Sequence, residues 1–217
     1  MTRRSAEVDG ILRVASYNLR DFKDNTDAAV RVVRAIDADV LCLQEVPRHL
    51  LSRYRTVSFA ARGGMYGSGG HRGRGGTTVM SSLRVDATNV AHIPLKVAGR
   101  FQRERGYALS HVTLPGFQRV SFVSIHLSLD AAERARHVAA VMEVLPLDAP
   151  LVVAGDLNEG SDGQAWMAVA SRLRVATGDA PTFPAISSHH RIAYIFASHP
   201  RSFLPSPPVQ LAPTHPA

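Results

Sequence analysis

The sequence predicts an α/β domain whose functional residues stand at the ends of strands, and three observations predict it. Apolar runs that alternate or stay continuously apolar (ILRVASYN at 11–18, ADVLCLQEV at 38–46, RVSFVSIHLS at 119–128, LVVAG at 151–155, RIAYIFAS at 191–198) are separated by segments of helical period. The chain has 217 residues, 45% of them hydrophobic, enough for one domain with a multilayer core, and no apolar run approaches the roughly 20 residues of a membrane span. Four of the runs end in polar residues that a core would not select: Asn18, Glu45, His126 and the pair Asp156/Asn158.

Composition narrows the chemistry. Cys42 is the only cysteine, so an internal disulfide and cysteine-rich zinc binding are excluded; inside VLCLQ it reads as a small buried hydrophobe. The opening MTRRSAEVDG is charged and lacks the apolar centre of a signal peptide, which leads us to expect a cytoplasmic protein with no membrane partner. The formal net charge is +7, supplied by arginine apart from Lys23 and Lys96. That excess suits a phosphate-bearing partner, because guanidinium matches phosphate oxygens bidentately, and codon bias toward arginine explains it equally well.

In chain order, strand 11–18 closes on Asn18. DNTDAAVRVVRAID reads as a helix with Asp24, Asn25 or Thr26 as cap and Val30, Val33 and Ile36 on one face. In the strand ADVLCLQEV the two-residue period puts Glu45 on the face of Leu41 and Leu43. Residues 61–76 carry glycines at 63, 64, 67, 69, 70, 73, 75 and 76 and read as a flexible loop. That loop is either a plain surface excursion or one whose Arg72 and Arg74 sweep over a bound anion. TTVMSSLRV, RGYALSHVTL and RVSFVSIHLS are spaced as an antiparallel meander. Arg105, which opens the second of these runs, joins Arg72 and Arg74 as a candidate for holding substrate. DAAERARHVAAVMEVL is a helix opened by Asp130 with Glu133 as a capping box, and its core face is Val138, Val141, Met142 and Leu145. SDGQAWMAVASRL is a further helix with Ser161 as cap and Trp166 as a core or groove-wall residue. His189 and His190, being adjacent, face opposite ways if extended and read as loop. Six prolines from His199 onward predict a tail poor in regular structure at the end of a single domain spanning 1–217.

Ligands of helix-flanked sheets bind at the carboxyl ends of strands, so four polar strand ends can converge on one site. Few carboxylates, amide oxygens and room for water and phosphate suit Mg²⁺. Taken singly, each residue has a plainer role: a turn for Asn18, an arginine partner for Glu45, a satisfied half-buried histidine for His126.

VASYNLR, DADVLCLQEV, VSFVSIHLS, VVAGDLNEG and RIAYIFAS, in this order and at these separations, resemble the endonuclease/exonuclease/phosphatase superfamily, the DNase I-like fold, over residues 11–198. The resemblance implies a four-layer α/β/β/α sandwich of two mixed sheets flanked by helices, and a Mg²⁺- or Mn²⁺-dependent phosphoesterase acting on a small molecule or a nucleic acid. It makes Glu45 the principal metal ligand, with Asn18 holding the metal's water shell. Asp156 orients or deprotonates the attacking water, Asn158 holds that water or a phosphate oxygen, and His126, in the family's HL motif, donates to the scissile phosphate.

The pattern also breaks. Ala193 stands where the family's RIDYI strand has an aspartate, and Pro213 and Thr214 replace Ser and Asp of its final SDH motif. His215 is left in the terminal role, with His199 of SHP as the alternative register. Asp179 or Asp162 are conceivable substitutes for the lost acids. Two readings therefore stand: a metal-dependent phosphoesterase, or a repurposed fold that binds a ligand or partner or performs non-hydrolytic chemistry.

Overall fold

The computed structural model describes residues 11–47, 52–67, 75–88, 90–97, 104–184 and 187–198. Along the chain run β1 (Val14–Asn18), α1 (Thr26–Ile36), β2 (Val40–Gln44), α2 (Ser52–Gly63), β3 (Tyr66–Gly67), β4 (Thr78–Ser81), β5 (Asp86–Ala87) and β6 (Ala91–Leu95). They are followed by β7 (Arg105–Thr113), β8 (Val120–His126), α3 (Ala131–Val144), β9 (Leu151–Asp156), α4 (Gln164–Ala170), β10 (Arg174–Val175) and β11 (Ala193–Ala197). One sheet has the order β1-β2-β4-β3; the other runs β10-β11-β9-β8-β7-β5, with β6 also paired to β7. β1 lies parallel to β2, and β8 to β9. The expected four-layer sandwich is what forms.

Alternation in the sequence builds the layers. In β2 every residue is buried, yet the two faces serve different layers: Leu41 and Leu43 pack with Val30 and Val33 of α1 and Phe59 of α2, while Val40 and Cys42 face the other sheet. In the second sheet Val123, Ile125, Val153 and Phe196 meet Val138, Val141 and Met142 of α3 and Val169 of α4. Phe122, Val152 and Ala154 turn inward to Cys42 and Val79. Each such large side chain withdrawn from water stabilises the fold by about 1.5–3 kcal/mol.

Local signals set the helix ends. Asn25 caps α1, its side chain accepting from Ala28 N at 3.0 Å. Asp130 caps α3 by accepting from Glu133 N at 2.8 Å, and the buried Glu133 carboxylate takes the hydroxyl of Ser128. Cys42 is fully buried, which pushes its thiol up to about 12 and leaves it an unreactive core residue.

Several expectations are corrected. TTVMSSLRV does not continue a meander with the next two runs: its strand β4 joins the first sheet, pairing Met80 with Leu41, and β7 instead lies between β6 and β8. A two-residue period identifies a strand but not its sheet. β6 gave no clear signal because Pro94 interrupts it; among the described residues it pairs with β7 alone, and an edge strand tolerates a missing N–H. α2 also escaped reading, since Tyr54 and Val57 are exposed while Phe59 and Ala60 are buried, which blurs the helical period. It takes the loop reading of 61–76 back to Gly64, and β3 follows at once. Ser161 does not cap α4. The N-cap position is Gly163, and Glu159 accepts from Trp166 N at 2.8 Å in its place. His189 and His190 lie in a loop after Ser187, which takes φ 55, and their ring centroids are 4.4 Å apart.

Candidate active site

The inward-facing columns of four of five strands change character in the same direction. Val14, Ser16, Asn18 in β1; Val40, Cys42, Gln44 in β2; Phe122, Ser124, His126 in β8; and Val152, Ala154, Asp156 in β9 each run from apolar through small to polar. The slot between the sheets is thus dry in its middle and polar at one end. The fifth column, Ala197, Ile195, Ala193 in β11, ends on a methyl group.

At the polar end, β1 and β2 are tied together past their last residues: Leu19 N donates to Gln44 O at 2.9 Å and Asp21 N to Glu45 O at 2.8 Å. Glu45 follows the end of β2 with φ 49, so the strand period no longer sets its direction, and it leaves the Leu41/Leu43 face expected for it. Its carboxylate Oε1 accepts from Asn18 Nδ2 at 3.2 Å. The Asn18 amide also favours the ionised form of Asp156, and its Oδ1 accepts from Arg20 N at 3.0 Å. That last bond supports Arg20, Asp21 and Phe22, all in the left-handed region at φ 47, 56 and 54. Such conformations cost roughly 1–2 kcal/mol each and persist only where the surroundings over-determine them. Phe22 supplies further support, buried against Phe59 at 5.3 Å between centroids.

Asp156 is 8% exposed. Burial pushes its carboxyl above the ordinary carboxylate range, and the nearby Glu45 adds to the rise; the N–H of Asn158, the amide of Asn18 and the charge of Arg105 oppose it. Asn158 holds φ 55 after the strand, donates its backbone N–H to Asp156 Oδ1 at 2.8 Å, and anchors Nδ2 on Leu127 O at 2.9 Å. With Nδ2 anchored, Asn158 Oδ1 is the end of the amide that can face a ligand. His126 lies beside Asp156 in the β8–β9 register. Arg105 Nη1 reaches its ring, 2.6 Å from Nε2 and 2.9 Å from Nδ1. A guanidinium can only donate, so Arg105 addresses an acceptor nitrogen of the ring, and its Nη1 is within reach of both.

The structure therefore brings together Asn18, Glu45, Arg105, His126, Asp156 and Asn158. Arg72, Arg74, His199, Thr214 and His215 lie outside the described residues. Asp179 ion-pairs with Arg191 at 2.8 Å, and the charges that act on Asp156 are Glu45 and Arg105. Sequence reasoning missed the half-buried Ser16, the buried Gln44 and Ser124 beneath the site, and the pair Arg134–Glu159 at 2.7 Å beside it. The inward parity of Gln44 and Ser124, both on faces that otherwise carry Val40, Cys42 and Phe122, was the signal that could have found them.

Among the described residues no group of three or more His, Cys, Asp or Glu side chains is set to hold a metal ion. The donors present still fit Mg²⁺ or Mn²⁺, which bind through one or two carboxylates and complete their shells with water and substrate phosphate. The charge of Glu45 lies close enough to Asp156 to raise its carboxyl further, an effect that a bound cation relieves.

Fold and site together define a sandwich of two sheets with an acid–amide cluster at the open end of the slot between them. The sequence pattern of the Endonuclease/Exonuclease/phosphatase family matches residues 15–214, and the chain belongs to that family. Its members are generally dependent on divalent metal ions. Among solved structures it is similar to a conserved protein of unknown function from Enterococcus faecalis V583 (TM-score 0.70, 15% identity, 86% of this chain and 87% of that one). It is also similar to an endonuclease/exonuclease/phosphatase from Beutenbergia cavernae (TM-score 0.67, 20% identity, 86% and 64%). A third similar structure is the human Nocturnin catalytic domain with bound sulfate (TM-score 0.60, 17% identity, 86% and 81%). No curated protein matches the chain. Among the described residues no helix is long and apolar enough to cross a membrane.

Proposed function

We propose that this protein is a divalent-metal-dependent phosphoesterase that attacks a phosphomonoester or phosphodiester with water. The observation that carries the reading is the convergence of Asn18, Glu45, Arg105, His126, Asp156 and Asn158 at one end of the inter-sheet slot, with a carboxyl of raised proton affinity at its centre. Family membership and the sulfate-binding Nocturnin neighbour support it.

Glu45, with Asn18 beside it, would hold Mg²⁺ or Mn²⁺, which when bound neutralises charge on the phosphoryl oxygens. Asp156 takes the proton from the attacking water; a carboxyl lifted above its ordinary range is a better base near neutral pH than an exposed one. Asn158 Oδ1 orients that water, while its anchored Nδ2 and its backbone N–H keep the amide and Asp156 in fixed relation. Arg105 and a ring N–H of His126 would donate to non-bridging phosphate oxygens, the role that positioned donors play in phosphoryl transfer.

A second reading, a repurposed scaffold, is favoured by one observation: the column of β11 ends in Ala193 where the family has an acid. One experiment separates the two. The protein is incubated with phosphomonoesters, phosphodiesters and plasmid DNA, with Mg²⁺, Mn²⁺ or EDTA, alongside Asp156→Asn. Release of phosphate or cleavage that requires both metal and Asp156 supports the phosphoesterase; turnover no greater than that of Asp156→Asn across the panel supports the scaffold.

A further inference from the structure

Below the site, three polar side chains cross the otherwise apolar slot. Gln44 Nε2 donates to Ser124 Oγ at 3.1 Å and to Cys42 O at 3.2 Å, and its Oε1 accepts from Ser16 Oγ at 3.2 Å. Ser124 Oγ in turn donates to Leu43 O at 2.9 Å. The direction of the chain is not free: Cys42 O can only accept, so the amide nitrogen of Gln44 must face it and the amide oxygen must face Ser16. Both amide hydrogens and both hydroxyl hydrogens are thereby used. Gln44 and Ser124 are 1% and 0% exposed. The buried Gln44–Ser124 part of this chain is rigid, since each bond broken there leaves a desolvated group without a partner, and the half-buried Ser16 completes it.

Its placement gives it a consequence. Gln44 belongs to the first sheet and Ser124 to the second, so the bond between them joins the two layers. Each member stands one or two residues before a site residue: Ser16 before Asn18, Gln44 before Glu45, Ser124 before His126. Apolar packing between sheets holds them together but is non-directional and tolerates sliding. A directed hydrogen bond does not.

We propose that the Ser16–Gln44–Ser124 chain is a positioning clamp that fixes Glu45 and Asn18 on one sheet against His126 on the other. The clamp rests on the phosphoesterase reading for its catalytic consequence, though not for its effect on the geometry of the site.

The test uses Ser124→Ala, Gln44→Met and the double variant of the full chain. Thermal unfolding establishes that each is folded at the assay temperature. With the best phosphoester of the panel, each single substitution lowers kcat about 10- to 100-fold, the range for residues that orient a metal site from behind, with KM changed by less than about 3-fold. The double variant loses no more than the worse single, because cutting the chain twice adds nothing. In parallel, ring ¹⁵N–¹H correlation spectra, with His126 assigned through His126→Gln, report a changed His126 environment in Ser124→Ala. Unchanged kcat in both folded single variants, or losses that multiply in the double, overturn the clamp. A wild-type protein that turns over nothing overturns the phosphoesterase reading instead, and the clamp is then decided by the spectra: His126 signals that neither substitution moves overturn it.

Discussion

Ala193 stands directly across the antiparallel β9–β11 pair from Asp156, on the same inward face. The carboxyl of Asp156 is already lifted by burial and by Glu45. A second carboxylate at position 193 places a like charge directly opposite, which in a strand pair costs roughly 0.2–1 kcal/mol. Ala193→Asp is therefore expected to lower the urea midpoint in EDTA, and Mg²⁺ to remove most of the deficit by supplying a positive charge between the acids. A variant as stable as its parent in EDTA would show that the two positions do not feel each other.

Asp156 separates stability from function. Its folded-state proton affinity exceeds that of an ordinary aspartate, so the stability it contributes is present at low pH and lost as pH rises from the ordinary carboxylate range of about 4 through the raised value. Asp156→Asn keeps an oxygen to accept from Asn158 N and removes the buried charge. It is expected to be as stable as the wild type or more so at pH 7, with the difference vanishing near pH 4, while hydrolysis disappears. Urea titrations at the two pH values, read beside a phosphate-release assay, check both halves.

The same shift predicts the acid limb of the activity profile. Since Asp156 must be ionised to take a proton, kcat should climb with pH along an acid limb that Asp156→Asn lacks. Activity flat through the acid range would remove Asp156 from the role of base.

Arg105 is expected to act on the phosphate through two parallel N–H groups, which lysine cannot reproduce. Arg105→Ala should lower kcat/KM by about 10²-fold, a magnitude typical of one lost donor to a developing oxyanion, and Arg105→Lys should recover only part of it. Full recovery by lysine would reduce the residue to a point charge.

Glu159 links the two loops beside the site. Its carboxylate takes Arg134 Nε at 2.7 Å and caps α4 through Trp166 N at 2.8 Å, and Arg134 also donates to Ser128 O and Leu129 O after His126. Glu159→Ala should cost about 2 kcal/mol in urea unfolding, the loss of a cap together with a largely buried charged hydrogen bond. Ser161→Ala, at the position the sequence suggested as cap, should stay within about 0.5 kcal/mol. Equal effects at the two positions would contradict the capping described.

Much of the site was legible before folding, and the reason lies in periodicity. Asn18, His126 and Asp156 are terminal members of alternating runs, and alternation tells which face a residue takes. The helix caps Asn25 and Asp130 were legible for a similarly local reason: each satisfies an N–H three residues away. Where a local rule met a distant competitor it failed, as at Ser161, whose place was taken by Glu159, or at Glu45, where a left-handed turn ended the period.

What the sequence by itself determined, then, is which residues are strand ends, which side of each strand faces inward, and that four inward columns close on polar groups. Only the tertiary structure decided which columns face one another. It put β4 in the first sheet, Arg105 on His126, Ala193 opposite Asp156, and Gln44 against Ser124 from 80 residues away. A period of two encodes a face but carries no address for the partner across it; that address is set by the packing of whole sheets, summed over every buried side chain in the slot.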